Sequence, residues 1–374
     1  MEQWSTAWQR AALTFYARAE GAPELHFRTG AQRPGDAVIV ALTELVLRVD
    51  RQLDRPHPFT VVDVGAGSGL LLGALALRLR ELASSGSGSA AHLLPRLAGL
   101  GVDLRPVPVG LGAWLSWCRH GIGEPGADPC CQPRAALAAP ERTVSGLVVA
   151  HELLDDIAVD IAVGDHRAQD VEHGARLLLV DAVNGVEAPG RPLDAAERDW
   201  LQAWWPGSAA RPVEARVELG GARDRAWQAC LGLLGSGLAV GVDYGHLRAE
   251  RLAGRFSQGT VAGYAGGRAV RPVLDGSVNL TAHVAIDAVQ AAGARVSGDP
   301  GVQLRQRVAL ALLRPTAPPV APPVAPPVAP GERLQAWAQG VEAAAAGRGL
   351  LGERWWLLQQ ANGSDGLVAA VLAG

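Results

Sequence analysis

The chain contains no lysine: its 34 basic residues are all arginines, set against 37 acidic ones, and the formal net charge is −3. With no basic excess, and no basic residues interleaved with aromatics, a nucleic-acid partner is not expected. Cysteine is scarce as well. Cys118, Cys130, Cys131 and Cys230 form no CxxC pair and have no histidines at metal-ligand spacing, so neither a zinc site nor a secreted disulfide framework is indicated. Long apolar runs are also missing. The longest, such as residues 70–77, are too short to span a bilayer, and the opening MEQWSTAWQR carries charge and tryptophan where a signal peptide has an apolar core. These absences lead to the expectation of a soluble, cytoplasmic protein with no metal and no membrane or nucleic-acid partner. Its 374 residues, 48% of them hydrophobic, suffice for one large α/β core with insertions or for two smaller domains.

Residues 1–54 read as a helical N-terminal segment, with apolar residues at helical spacing over residues 38–53. Residues 59–64 form a β-branched run that predicts a buried strand, followed at once by glycines and a helix from residue 70 to about 82. A flexible SSGSGSA segment then leads to a second strand at residues 97–102 that ends at Asp103. Further strands are expected at residues 113–118, 144–150 and 238–242. Strands alternating with helices predict a doubly wound, mostly parallel sheet of Rossmann-like type over residues 55–314. Residues 159–215 read as an insertion with a β-hairpin turning at Asn184-Gly185, and Asp194 is placed to cap a helix with Glu197. The VAPP repeats of residues 315–330 predict an extended polyproline spacer, followed by a helical tail over residues 331–374.

The turn VVDVGAGSG at residues 61–69 carries the chemistry. Gly65, Gly67 and Gly69, with Ala66 between them, let a ligand approach the backbone at the carboxyl end of the first strand. Asp63 can accept hydrogen bonds from the turn or from a ligand ammonium, and Asp103 can take both hydroxyls of a ribose. A dinucleotide fingerprint runs GxGxxG, whereas here the glycines run GxGxG and Leu70 holds the sixth position, which favours S-adenosylmethionine (SAM) over NAD. The plainer alternative is a tight turn with no ligand. A second polar group follows in VVAHELLDDIAV, where a helical turn would bring Glu152 and Asp155 onto one face, and a third in DYGH, with Asp243, Tyr244 and His246. His246 is expected to be a solvated loop residue and His283 a satisfied core histidine.

With DVGAGSG, HELLDDIAV, DYGH and the later GTVAGYAGGR…DGSVNLTAHVAID in this order, the chain resembles the MidA-like family of SAM-dependent methyltransferases over roughly residues 8–313, with a weaker echo in GERWWLLQQANG. The resemblance implies a class I methyltransferase whose mitochondrial relatives methylate an arginine of a respiratory complex I subunit. Carried over by position, it implies that Gly65, Gly67 and Gly69 hold SAM and Asp103 its ribose; from the motifs themselves Asp63, Ala66 and His151 are expected to complete the SAM site, and Glu152, Asp155, Asp243 and Tyr244 to serve catalysis. His151 stands where the family has Asn, Asn279 where it has Asp, and FRTG at residues 27–30 lacks the usual small last residue. Two alternatives stay open: a non-catalytic assembly or partner-binding factor on the same fold, and a small-molecule N- or O-methyltransferase.

Overall fold

The protein is described by a computed structural model covering residues 1–18, 30–110, 112–119, 143–164, 175–205, 215–315, 354–361 and 366–374. Its central sheet has seven strands: β1 (Phe59–Val64), β2 (Leu97–Asp103), β3 (Leu115–Arg119), β4 (Val144–His151), β5 (Leu234–Asp243), β6 (Val302–Arg305) and β7 (Trp355–Gln360). They lie in the order β3-β2-β1-β4-β5-β7-β6. The pairs from β3 to β5 are parallel, and β7 runs antiparallel to both β5 and β6. The chain moves outward from β1 to β3 and then returns to β4 on the other side of β1. The strand order therefore reverses between β1 and β4, the switch point where an open α/β sheet has its crevice beyond the strands' carboxyl ends.

The apolar runs are strands because both faces of the sheet are covered. Phe59 and Val61 point into a core shared with Leu42 and Leu45 of the helix Ala37–Gln52 and Leu72 and Leu75 of the helix Leu70–Ser84. Val62 and Val64, one residue out of phase, meet Trp227 of the helix Gly221–Gly232 and Val289 of the helix Ile286–Ser297. The period-2 alternation of a strand thus feeds two separate cores.

Three expectations are corrected. The tail predicted as helical supplies β7, an inner strand: Trp356 and Leu358 enter one core, Trp355 and Leu357 the other. A four-residue apolar run cannot be assigned by periodicity alone, and the open place between β5 and β6 decides it. The final helix, Leu367–Ala373, does form, and its Val371 carbonyl accepts a hydrogen bond from Arg48 Nη1 at 2.9 Å. The SSGSGSA segment is not simply looped out. Ser87 caps a short helix, Gly88–Leu93, accepting from the Ala90 amide at 3.4 Å. Finally, the expected hairpin, Arg176–Val180 with Glu187–Pro192, belongs to a five-stranded antiparallel sheet that also recruits Glu2–Gln3, Asp160–Val163 and Arg216–Leu219.

The two helices expected within residues 1–54 pack in different places. Trp4–Ala17 covers the small sheet through Trp4 and Trp8, whereas Ala37–Gln52 covers the central one. Asp194 and Glu197 form the capping box read from the sequence. The proline repeat, Cys130, Cys131 and residues 27–29 lie outside the described residues. Among the described residues no helix is long and apolar enough to cross a membrane, and no group of three or more His, Cys, Asp or Glu is placed to hold a metal ion.

Candidate functional site

The glycine turn sits at the crevice. Gly65, Gly67 and Gly69 have φ of 76°, 56° and 78°, a left-handed conformation that side chains disfavour. A Cβ on Gly65 would also stand 2.9 Å from Leu153 Cδ1, so the turn packs directly against the loop that follows β4. Buried Ala66 completes the turn, which is tied to β2: the Gly65 amide donates to the Val102 carbonyl at 2.8 Å and the Gly67 amide to Asp103 Oδ2 at 2.7 Å. Asp103 Oδ1 accepts from the Arg105 amide at 2.7 Å, so this carboxylate latches the turn and still has lone pairs for a ligand hydroxyl. Burial raises the Asp103 pKa against these amides. Beneath the turn Asp63 is pushed up to about 7, first by burial and then by the Asp103 charge.

The loop after β4 departs from the sequence reading. Glu152 and Asp155 do not share a helical face, because residues 152–158 make turns and Glu152 has φ 51°. Asp243, at the end of β5, holds the loop by its amides: its Oδ2 accepts from Leu154 at 2.8 Å and from Asp155 at 3.2 Å, and its Oδ1 from its neighbour Tyr244 at 2.9 Å. The Asp155 and Asp243 carboxyls are hydrogen-bonded to one another. Burial drives both upward, Asp155 to about 6 and Asp243 further, with the Arg223 charge opposing both shifts. Buried Arg223 braces the loop through the carbonyls of Asp155 at 2.9 Å and His283 at 2.8 Å.

Glu152 instead forms an ion pair with Arg354, whose side chain is 2% exposed. Burial pushes Glu152 up to about 7, opposed chiefly by the Arg354 charge. Arg354 Nη2 also donates to Tyr244 Oη at 3.1 Å, with the guanidinium 4.9 Å from the ring centroid. Burial lifts the Tyr244 phenol to about 12. His151 closes β4 with its Nε2 buried and without a hydrogen-bond partner among the described residues. Burial, then the Arg354 charge, lowers the His151 pKa to about 3, so the imidazole is neutral.

The expected solvated His246 is fully buried, touching Trp205, Phe256 and His283 rings, with Nδ1 2.9 Å from Arg251 Nη1. The short strand that carries it pairs in parallel with Val284–Ala285. His283 stacks on Tyr244 at 6.4 Å, but its Nδ1 is buried without a partner among the described residues, so it is not a satisfied core histidine.

Four participants escaped the sequence reading. Arg354 arrives because β7 is antiparallel, so its beginning, not its end, lies at the carboxyl edge of the sheet. Arg223 comes from a helix beneath the loop. Asp156 accepts the Tyr16 hydroxyl, which also lies 3.2 Å from Asn279 Oδ1. Asp156 is pushed up to about 7 by burial and by Asp155, and held down by Tyr16 and Asn279. The doubled aspartate at residues 155–156 was the one available signal. An aspartate in place of Asn279 would set a further carboxylate against Asp156.

A family model described as "Putative S-adenosyl-L-methionine-dependent methyltransferase" matches residues 135–300. No curated protein matches the sequence. Two crystal structures from Burkholderia thailandensis share the fold, each 19% identical and covering 98% of this chain and 96% of its own. One, with a TM-score of 0.63, is a COG1565 superfamily member bound to S-adenosyl-homocysteine. The other, with a TM-score of 0.62, is the native structure of an uncharacterised COG1565 superfamily protein.

Proposed function

We propose that the protein is a class I SAM-dependent methyltransferase of the MidA-like type, built on a Rossmann-like doubly wound domain. The observation that carries this reading is the turn of three left-handed glycines at the β1/β4 crevice, latched by Asp103. The residues suit the cofactor: the turn leaves room for its backbone approach, and Asp103 keeps lone pairs for the ribose. When bound, SAM supplies a methyl group activated by the neighbouring sulfonium. The chain's own groups then need only align a nucleophile and hold its proton. The Asp155/Asp243 pair, in which burial raises both pKa values, is suited to the second task.

A protein arginine as acceptor is supported by the resemblance. One observation favours the small-molecule alternative: Glu152, the carboxylate that would hold an acceptor guanidinium, already holds Arg354.

Calorimetry tests the cofactor before any acceptor is known. Heat is expected with SAM and S-adenosylhomocysteine and none with NAD, and the reverse pattern would sink the reading. Glu152→Gln is expected to keep S-adenosylhomocysteine affinity within a few-fold while lowering methyl transfer from labelled SAM into cell extract by roughly 10²-fold. Full transfer by the variant would remove Glu152 from catalysis.

A further inference from the structure

The strands Ala262–Ala265, Arg268–Val270 and Asn279–Thr281 form a small antiparallel sheet with Ala262–Ala265 in the middle. Its two edges differ. On the Asn279–Thr281 side, Leu280 shares a core with Trp4 and Trp8, Asn279 meets the Tyr16 hydroxyl, and the Ala282 amide donates to the Asp155 carbonyl at 2.9 Å. Arg268–Val270 is bare by contrast, with all three residues exposed.

The hairpin decides which backbone groups the bare edge presents. Gly266 and Gly267 make its two-residue turn with φ of 54° and 75°, the positive pair that a type I′ turn requires. In such a hairpin the closing residues, Ala265 and Arg268, exchange hydrogen bonds, and the next pair, Tyr264 and Ala269, does not. The Ala269 amide and carbonyl therefore point outward, and no partner takes them among the described residues. Pro272, which has no amide, ends the usable edge after Arg271.

Arg268 and Val270 occupy one face of this strand, Ala269 and Arg271 the other. Both arginines are exposed, and neither makes a hydrogen bond or an ion pair among the described residues. Arg271 Nη2 lies 3.9 Å from the place of a Cβ on Gly185, so the edge continues into the hairpin tip where Val183 and Val186 are 96% and 55% exposed. Asp181 of that tip holds its own turn, accepting from the Val183 amide at 2.9 Å and from Asn184 Nδ2 at 3.1 Å. A second copy of the chain is disfavoured as occupant, because antiparallel pairing about Ala269 would gather four guanidinium groups within about one Debye length, ~10 Å.

We infer that this edge docks an extended acidic segment of a partner protein as a fourth strand. Opposite Arg271, Val270, Ala269 and Arg268 in turn, an antiparallel segment reads acidic, apolar, small or β-branched, acidic. The backbone bonds at Ala269 provide affinity, and the two carboxylates select the partner. The docked strand runs beside the candidate site: Ala269 pairs with Tyr264 and Tyr264 with Asn279, two strand spacings of about 4.8 Å each. No step of this inference depends on the cofactor.

The test is fluorescence anisotropy on the full chain at low salt, with a labelled peptide of core Glu-Val-Thr-Glu and a counterpart of core Lys-Val-Thr-Lys. The acidic peptide is expected to bind, to weaken with added salt and to slow hydrogen exchange at the Ala269 amide. Arg268→Glu combined with Arg271→Glu should weaken the acidic peptide roughly 10-fold or more and bind the lysine peptide instead. Should that variant fail to melt cooperatively, the exchange at Ala269 decides.

Equal binding of the two peptides by the parent protein, binding of neither, or no exchange of preference in the double variant would each overturn the inference. So would an Ala269 amide already slow to exchange in the free protein, which would mean that the edge is covered by the chain itself or by a second copy. Tighter binding of single-stranded RNA or anionic vesicles than of the acidic peptide would assign the two arginines to another kind of partner and overturn it as well.

Discussion

Replacing Gly67 by arginine is expected to abolish measurable S-adenosylhomocysteine binding while the protein keeps a cooperative melt. Gly67 has φ 56°, where a side chain costs about 1–2 kcal/mol, a loss that a domain of this size survives. The larger effect is occupancy. The Gly67 amide points to Asp103 Oδ2 at 2.7 Å, so an arginine rooted there has the Asp103 carboxylate within easy reach of its guanidinium. It would neutralise the group proposed for the ribose and fill the space beside it. Gly67→Ala separates the two causes, since it strains the backbone without reaching Asp103, and it should retain most of the affinity. Unchanged binding in Gly67→Arg would mean that the turn only joins a strand to a helix.

Arg354→Met is expected to lower the melting temperature more than Gly67→Arg does, and by more at pH 8 than at pH 6. Arg354 and Glu152 have side chains 2% and 15% exposed, and removing one member of such a pair costs about 3–5 kcal/mol because the other charge stays buried alone. At about 2 °C per kcal/mol for a large domain, the loss is about 6–10 °C.

The pH dependence follows from Glu152. Its pKa in the folded protein is raised from 4.5 to about 7 even with Arg354 present, and without that charge it rises further. A group whose folded pKa is raised contributes stability below its unfolded pKa and loses it as pH rises through the folded one. The deficit of the variant therefore opens as pH climbs past 7, where Glu152 must ionise without its cation. Glu152→Gln combined with Arg354→Met should recover most of the loss, because neither charge is then stranded. Identical melting of Arg354→Met and the parent protein at pH 8 would show that the pair contributes nothing.

Local signals sufficed where the physics is local. The six-residue run ending in Val64, the glycines at 65, 67 and 69, and the capping pair Asp194 and Glu197 each depend on neighbours within a few positions, and each lies where the sequence placed it. The same holds for Asp103 at the end of β2, because a strand's limit is written in its own apolar run.

Glu152 and Asp155 were legible as carboxylates at the end of β4 but not in their arrangement. Spacing allowed a helical turn, and only Asp243, 88 residues further on, shows why the amides turn elsewhere. Trp355 and Trp356 were not legible as part of a strand, since four apolar residues suit either geometry until β5 and β6 present their edges.

The sequence by itself determined the parallel α/β core, the glycine turn at the end of its first strand and the acidic residues at neighbouring strand ends, because hydrophobic period, backbone sterics and turn chemistry act over a few residues. Tertiary structure alone decided which charges meet: Arg354 with Glu152, Arg223 with the loop after β4, and Tyr16 with Asp156. Those pairings span up to 202 positions of chain, and buried charges select partners by distance in the folded protein, a quantity that spacing along the chain does not carry.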